Sequence, residues 1–147
     1  MANPQVLQGS LNRVKASVVW ATNPQLNITS SYLGRPGIRF APEGESTAFL
    51  NTLTGAVTSP EPYQLFNMTV ALVKPQALAD LYKSQIETNA LIGDGTVYPD
   101  VISPGLGVFN ITNCAIETFR EVSFAGDEPT LMVVIKGYWL INSNMFL

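Results

Sequence analysis

The alternation of apolar and polar positions is clearest near the end of the chain, where residues 107–142 predict two long strands. The segments 107–124 and 130–141 are rich in β-branched and aromatic residues, and the glycine, aspartate and proline of 125–129 lie between them. This pattern predicts a β-hairpin. Its second strand, LMVVIKGYWLI, is apolar on both faces apart from Lys136, whereas a half-exposed antiparallel strand alternates. We therefore expect both of its faces to be covered, by the rest of the chain or by a neighbouring subunit.

Alternation also predicts strands earlier in the chain. Residues 11–21 form a half-buried strand, whose apolar face consists of Val14, Ala16, Val18 and Trp20. After a turn at 22–24, Leu26 and Ile28 fit a short strand, and GRPG at 34–37 is expected to break the chain before a strand at 38–41. Residues 63–73 are amphipathic, with Phe66, Met68, Val70 and Leu72 on the core face and Leu65, Asn67, Thr69, Ala71 and Val73 on the other.

One helix is predicted, at about 75–89. Pro75 suits the first helical turn, and apolar residues recur at spacings of three and four, namely Leu78, Leu81, Tyr82 and Ile86. Residues 93–105, GDGTVYPDVISPG, are rich in glycine and proline and predict a linker to the C-terminal hairpin. Within it, Asp94 and Asp100 are expected to be turn residues rather than metal ligands, because the EF-hand spacing of oxygen ligands is absent.

The segment 42–62, PEGESTAFLNTLTGAVTSPEP, is bracketed by prolines and acidic residues. It predicts a protruding hairpin or a long irregular loop, and connections of that length in a domain usually have a function. Its apolar side chains, Phe49, Leu50, Leu53 and Val57, are poorly suited to free solvation. We expect this segment to lie against another surface.

The composition indicates a single domain whose surface is largely occupied by partners. The chain has 147 residues, enough for one domain, 1–147, with its own core. Charged residues make up only 13%, where about 25% is typical, so self-assembly is the simplest interpretation. The 8 Lys and Arg residues are scattered and the formal net charge is -3, which disfavours tight binding of nucleic acid. No apolar run approaches the ~20 residues of a membrane-spanning helix, and no secretory signal is visible.

The residues do not favour an enzyme, and we expect no catalytic, cofactor-binding or metal-binding site. Histidine is absent, which removes the usual general base and the commonest zinc ligand. The single cysteine, Cys114, is expected to be a small buried hydrophobe. Glu117 and Glu121 lie on one face of a strand but about 13 Å apart, too far for paired acid and base catalysis. No phosphate-binding glycine loop occurs.

A short motif occurs twice, as LFNMTV at 65–70 and as VFNITN at 108–113. In each strand the phenylalanine and the aliphatic residue point one way. Asn67 with Thr69, and Asn110 with Thr112, then point the other way. Chance convergence on a common strand pattern explains this repeat, and so does a pair of strands that present equivalent uncharged polar faces to the same space.

The order of these elements resembles the tail tube protein of contractile-tailed (myovirus-type) bacteriophages, to which pyocin and type VI secretion tubes are related. The resemblance covers the whole chain and is carried by GVFNITN at 107–113, the turn with GDEP and the terminal strand with KGYWLIN. It implies a mainly β, sandwich or barrel-like domain with one flanking helix (about 75–89) and a long protruding loop or hairpin (about 42–62). Hexameric rings of such domains stack into a hollow tube inside a contractile sheath.

The resemblance also implies partners and surfaces. The partners are further copies of the chain, the tail sheath protein outside, and the tape-measure protein and then genomic DNA in the lumen without tight binding, in a virion tail assembled in the bacterial cytoplasm. Candidates for the lumen are Asn67, Thr69, Asn110, Thr112, Glu117 and Glu121, and a bulge at 113–115 would change the face of every residue that follows. Candidates for the inter-subunit hairpin are Glu43, Glu45, Phe49, Leu50, Leu53 and Val57. Candidates for inter-subunit strand contacts are Met132, Val134, Tyr138 and Leu140, while Val133, Ile135, Trp139 and Ile141 pack inside.

Other functions remain compatible with the sequence. The tube of a non-contractile tail or of a phage-like particle has the same requirements. A β-sandwich that binds carbohydrate or protein is an alternative of another class, with an aromatic face drawn from Tyr32, Tyr63, Tyr98 and Tyr138. Hollow rings or tubes would distinguish the first group from the second.

Overall fold

The chain folds into a mainly β domain, a curled antiparallel sheet with one flanking helix, as the sequence predicts. The computed structural model describes residues 10–11, 16–98, 101–103, 107–122, 126–127 and 129–145. The strands are β1 (Ser10–Leu11), β2 (Ser17–Trp20), β3 (Leu33–Glu43), β4 (Thr47–Asn51), β5 (Ala56–Pro60), β6 (Tyr63–Val73), β7 (Leu91–Tyr98), β8 (Val101–Ser103), β9 (Phe109–Glu121) and β10 (Thr130–Leu140). The helix α1 is Ala77–Thr88, and two short 3-10 helices, Pro24–Leu26 and Ser30–Tyr32, lie between β2 and β3.

The predicted C-terminal hairpin forms the middle of the main sheet, whose strand order is β2-β7-β9-β10-β6-β3. β10 pairs antiparallel with β9 on one side. On the other side it pairs with β6 in an unbroken register from Thr130↔Val73 to Leu140↔Tyr63. The predicted strand at 63–73 is thereby confirmed as well. Two smaller sheets, β1-β8 and β4-β5, lie outside this arrangement.

One face of the main sheet carries the core. Alternate residues of β6 and β10 are fully buried there, so the core face predicted for 63–73 is confirmed. The central members of the core are Val18, Phe66, Met68, Val70, Leu72, Ile111, Ile116, Val133 and Ile135. Trp139 and Phe109 pack against this core with Phe40, and the three rings contact one another. These contacts place one face of the C-terminal hairpin inside the domain.

The helix α1 covers part of this core through Leu78, Ala79 and Tyr82. The prediction that Leu81 belongs to the buried face is wrong, because Leu81 is 41% exposed and Ala79 is buried instead. Tyr82 also makes polar contacts on this side of the helix. Its hydroxyl accepts a hydrogen bond from Trp20 Nε1 (3.0 Å) and donates one to the Leu26 carbonyl oxygen (2.8 Å).

The predicted linker at 93–105 is wrong, because residues 91–98 and 101–103 form the strands β7 and β8. β7 lies inside the main sheet between β2 and β9. Its glycines fit there because Gly95 pairs with Trp20, whose ring leaves no room for a side chain. Asp94 is therefore a strand residue and not a turn residue, whereas Asp100 lies outside the described residues.

β3 continues through the expected break at 34–37. The irregularity is accommodated within the strand, where the register with β6 shifts between Leu33 and Ile38 and Gly37 has a φ of 65°.

The short strand predicted at Leu26 and Ile28 is also wrong. Leu26 ends a 3-10 helix, and Ile28 makes only an isolated bridge with Val18. Both side chains are nevertheless buried, so their apolar character correctly indicated that they belong to the core.

The predicted strand at 11–21 is confirmed over Ser17–Trp20, where Val18 and Trp20 are buried. Val14 lies in 12–15, outside the described residues.

The segment 42–62 forms a hairpin, β4–β5, rather than an irregular loop. In the part of the chain that the structure describes, no helix has both the length and the apolar character needed to cross a bilayer.

Candidate functional site

The face of the main sheet opposite the core is the first candidate site, and it is called the polar face here. It carries the residues that alternate with the buried ones, because successive side chains of a strand point to opposite sides. Asn67 and Thr69 of β6 lie on it, directly opposite Lys136 and Val134 of β10. On the far side of β6, Asn67 and Thr69 pair with Ala41 and Arg39 of β3.

The polar face continues across β9 and β7. Asn110 pairs with Thr96, whose hydroxyl lies 3.3 Å from Asn110 Oδ1, and Thr112 pairs with Tyr138. Asn110 and Thr112 are the neighbours of Ile111 in the strand, and Ile111 is buried in the core. The side chains of Asn110 and Thr112 therefore lie on the opposite face. The two copies of the Phe-Asn-aliphatic-Thr motif therefore present their amide and hydroxyl groups on the same side of the sheet.

A bulge at Asn113 changes the alternation within β9. Asn113 has a φ of 55°, and its backbone N–H donates to Asp94 Oδ1 at 2.9 Å. The register with β10 shifts between Lys136 and Tyr138 at the same place. Such an extra residue moves the following side chains to the opposite face. Cys114 is buried as a result, and Glu117 shares the polar face with Asn110, which an unbroken strand would not allow.

A charged cluster lies at the centre of the polar face. Lys136 Nζ is 3.5 Å from Glu43 Oε2 and 3.6 Å from Glu117 Oε2, so one cation lies between two carboxylates. Asn67 donates from Nδ2 to the other Glu43 oxygen. The Asn67 Oδ1 atom is buried and has no hydrogen-bond partner among the described residues. The cluster thus carries one more negative than positive charge, and its lysine is neutralised locally.

A shallow depression of about 330 Å³ lies over β2, β7 and β9. It is lined by Val19, Ala21, Asp94, Gly95, Thr96, Asn110, Ile111 and Thr112. Amide, hydroxyl and carboxylate groups line it together with short apolar side chains. Among the described residues no group of three or more potential metal ligands occurs. The depression therefore offers hydrogen-bond donors and acceptors.

The β4–β5 hairpin is the second candidate site. Phe49, Leu50, Leu53 and Val57 are between 54% and 102% exposed, and Glu45 near its base is also exposed. Glu43, which the sequence grouped with this hairpin, ends β3 and belongs to the charged cluster. The hairpin is therefore an apolar surface without a negative rim at its tip, because Asn51, Thr52 and Thr54 surround Leu53.

A second apolar surface lies at the end of the main sheet from which the hairpin leaves. Tyr63 and Leu65 of β6 are about half exposed, and they pair with Leu140, 70% exposed, and Tyr138. The Tyr63 and Tyr138 rings meet edge to face with centroids 5.6 Å apart. Met132 and Val134, further along the same face of β10, are half-buried. We call Tyr63, Leu65, Tyr138 and Leu140 the terminal patch.

The structure brings together most of the predicted polar residues. Asn67, Thr69, Asn110, Thr112 and Glu117 share the polar face, while Glu121 pairs with Met132 through its backbone and its side chain lies outside the described part. By contrast, the proposed aromatic face does not form as a unit. Tyr63 and Tyr138 meet, but Tyr32 packs against the core. Tyr98 lies on β7, which pairs with β2 and β9 and not with β6 or β10.

Sequence reasoning missed Glu43 and Lys136 as members of the polar face. A signal for Lys136 was present, since it is the only charged residue of an apolar strand and has the same parity as Val134 and Tyr138. Glu43 had no such signal, because β3 was expected to end before it. The role of Asp94 at the bulge also escaped, since a glycine-rich segment does not indicate a strand.

Cys114 is a free cysteine that is buried as the sequence predicts. Burial, assisted by the nearby charge of Asp94, raises the pKa of its thiol to about 12. The thiolate is the nucleophilic form of cysteine, so this environment suits a structural role.

No protein-family model matches this chain, and no curated protein matches it either.

Proposed function

We propose that this chain is the structural subunit of a hollow tube built from stacked hexameric rings, of the kind that forms the tail tube of contractile-tailed bacteriophages. The observation that carries the proposal is the β4–β5 hairpin, whose four large apolar side chains are exposed outside the main sheet. An isolated two-stranded hairpin is marginally stable in water. Its apolar side chains gain stability when they lie against another copy, since exposed apolar patches mark interaction surfaces.

The terminal patch supports the same proposal, because it provides a second exposed apolar surface on the same chain. Two different surfaces that meet between copies make a heterologous contact, which closes into rings or continues into a filament. The main sheet also ends in β2 and β3. Joining such edges between neighbouring copies would protect their unpaired backbone groups.

The polar face supports a lumen through which DNA passes. It carries amide and hydroxyl groups, and Lys136 is neutralised by two carboxylates. Affinity for DNA arises mainly from cations that displace counterions from phosphates. Arg39, opposite Thr69, is a second and exposed cation of this face, and the two carboxylates of Glu43 and Glu117 offset it and Lys136 in number. The surface therefore has little net positive charge with which to retain DNA. In this proposal the tape-measure protein and then genomic DNA occupy the lumen, the sheath protein surrounds the tube, and the site of action is the virion tail. The tube of a non-contractile tail or a phage-like particle would use the same surfaces.

Electron microscopy of the purified protein tests this proposal. Negative staining should show hollow tubes or rings of uniform diameter. Leu53→Asp should abolish them, because burying an unpaired carboxylate in an apolar contact is unfavourable. Leu81→Asp is the matched control, since Leu81 is also exposed but lies on α1, and it should leave assembly intact. A wild-type chain that stays monomeric at high concentration would overturn the proposal.

A ligand-binding module is the second candidate function, and the depression of about 330 Å³ on the polar face favours it. Its hydrogen-bonding groups suit a neutral polar ligand such as a sugar. This function predicts a monomer that binds an oligosaccharide saturably, with loss of binding in Asn110→Ala. Tube formation without any such binding would reject it.

A further inference from the structure

The place where the β4–β5 hairpin joins the main sheet, called the root here, is held by an unusual concentration of side-chain hydrogen bonds. The chain leaves the sheet at the end of β3, Glu43, and returns at the start of β6, Tyr63. The Glu61 N–H donates to the Ser46 carbonyl oxygen at 3.0 Å, which closes the hairpin below its first paired residues. Two side chains, one near the start of β6 and one after the end of β10, bind the root.

Gln64 is the first of these side chains, and it is the only buried polar residue among the described residues. Its amide nitrogen donates to the carbonyl oxygens of Glu43 and, at 3.2 Å, Gly44, on the outgoing chain. Its amide oxygen accepts from Ser46 Oγ at 2.8 Å. A residue of β6 thus binds three residues of the chain as it leaves the sheet.

Asn142 is the second side chain, and it follows β10. Its Nδ2 atom donates to the Glu61 carbonyl oxygen at 2.7 Å and to the Ser46 carbonyl oxygen at 3.2 Å, so it contacts both arms of the hairpin. It has a φ of 53°, one of two positive values among the described non-glycine residues. The preceding Ile141 N–H donates to the Pro62 carbonyl oxygen at 3.2 Å. The left-handed backbone costs energy for a residue other than glycine, which indicates that the amide contact stabilises it.

We propose that Gln64 and Asn142 form a clamp that fixes the direction in which the hairpin leaves the sheet. Both are positioning residues, because they bind the backbone of the root and not the exposed apolar tip. Hydrogen bonds within the hairpin hold β4 to β5 but do not orient the pair relative to the sheet. Contacts from the sheet can do so. Besides the Ile141 N–H bond to the Pro62 carbonyl oxygen, the side chains of Gln64 and Asn142 supply them from β6 and from the end of β10.

The clamp lowers the entropic cost of assembly, because a hairpin that is already oriented loses less freedom when its tip meets another copy. This consequence for assembly rests on the proposed function. The orientation of the hairpin within one chain is independent of that function. The two statements can therefore be tested separately.

The orientation is measured on monomeric protein as a distance between two spin labels, introduced with Thr52→Cys in the hairpin turn and Ser84→Cys on α1. Both positions are exposed, and the native Cys114 is buried. The wild-type root should give a narrow distance distribution. Asn142→Gly, which keeps the left-handed backbone accessible and removes the amide, and Gln64→Met, which keeps the volume, should each broaden it about two-fold or more.

Matched controls separate the clamp from general effects of these substitutions. Asn113→Gly makes the same change at the other described asparagine with positive φ, remote from the root, and keeps its backbone N–H. Gln85→Met removes an amide that donates to the Asn89 and Leu91 carbonyl oxygens at the end of α1. Neither control should alter the distance distribution.

The same variants are then tested for assembly, where the clamp variants should raise the protein concentration needed for tube formation about ten-fold. Broader distances together with weaker assembly support the clamp and its role. Broader distances in a chain that never assembles support the clamp and reject the proposed function. Unchanged distances in Asn142→Gly overturn the clamp, whatever the result for Gln64→Met.

Discussion

At the scale of single residues, two glycines of the main sheet occupy positions where no side chain fits. A Cβ on Gly95 would lie 2.6 Å from Trp20 Cε3 and 2.9 Å from the Val19 carbonyl oxygen. A Cβ on Gly137 would lie 2.8 Å from Cys114 Sγ and 3.0 Å from the Thr112 carbonyl oxygen. These glycines weaken strand propensity, but they allow large neighbours to pack directly on the backbone.

Gly95→Ala is therefore expected to destabilise the domain by about 1–3 kcal/mol, since the added methyl group meets both a buried ring and a backbone oxygen. Urea unfolding monitored by Trp fluorescence measures this change. Gly55→Ala is the control, because no atom lies within 4 Å of its Cβ position. It should change stability by less than about 0.5 kcal/mol. Equal effects of the two substitutions would contradict the close packing at Gly95.

Cys114 should make the domain lose stability in alkaline solution. Burial raises the pKa of its thiol from 9.0 to about 12, so between these values the unfolded chain releases a proton that the folded chain keeps. Stability is fully present below pH 9 and falls as pH rises, by about 1.4 kcal/mol per unit for this group. The stability difference between the wild type and Cys114→Ala should shrink by about 2 kcal/mol from pH 8 to pH 10.5. A difference that stays constant in urea titrations at the two pH values would contradict this prediction.

At the scale of elements, the Tyr82 hydroxyl is the buried polar contact between α1 and the sheet, beside the apolar contacts of Leu78 and Ala79. The Tyr82 hydroxyl connects Trp20 on β2 with the Leu26 carbonyl oxygen of the first 3-10 helix. Burial raises the pKa of Tyr82 above its ordinary value, so the hydroxyl stays protonated and remains able to donate. This single atom thus joins three elements that are distant in sequence.

Tyr82→Phe is expected to cost about 1–3 kcal/mol of stability, because it leaves the Trp20 N–H and the Leu26 carbonyl oxygen buried without partners. The apolar packing of the ring is retained, so the fold should persist. Urea unfolding measures the loss, and Tyr98→Phe, at an exposed position on β7, serves as the control. A Tyr82→Phe variant as stable as the control would show that these two groups find other partners.

At the scale of the whole molecule, the two faces of one sheet have separate tasks. The core face is covered by α1 and holds the domain together. The polar face carries the Glu43, Lys136 and Glu117 cluster, and the hairpin projects from one end. In the proposed tube, the charge balance of the polar face determines whether DNA passes or is retained.

The double variant Glu43→Gln, Glu117→Gln should therefore give tubes that retain short duplex DNA, with binding that weakens as salt increases. Without the two carboxylates, Lys136 would no longer be neutralised, and one such cation per subunit would line the lumen. Cations on a concave surface together strengthen the attraction of DNA phosphates. A filter-binding titration against salt concentration measures this effect. The control is Asp80→Asn, Glu87→Gln, which makes the same charge change on exposed residues of α1. Equal retention by both variants would attribute the effect to net charge and contradict the role of the polar face.

The sequence by itself determined most of the regular structure. Period-two alternation identified β6 and the C-terminal hairpin with the correct faces, and Pro75 with the following apolar spacing identified α1, because these signals are local. The repeated Phe-Asn-aliphatic-Thr motif also identified four residues that share the polar face, Asn67, Thr69, Asn110 and Thr112, but not Glu43 or Lys136. For 42–62 the sequence left hairpin and loop open, and the structure has a hairpin. That its apolar residues lie against another surface stays a prediction, because they are exposed in the single chain.

Only the tertiary structure decided the elements whose residues contradict their local preference. β7 forms in a glycine-rich segment because β2 and β9 pair with both of its edges and the Trp20 ring occupies the space above Gly95. β3 passes through Gly34 and Pro36 because β6 provides a partner along most of its length. The bulge at Asn113, the neutralised Lys136 and the clamp at the hairpin root each join residues far apart in the chain. Such contacts exist only after the sheet has formed, so a local pattern can suggest a bulge near 113–115 or an unusual Lys136 but cannot identify their partners.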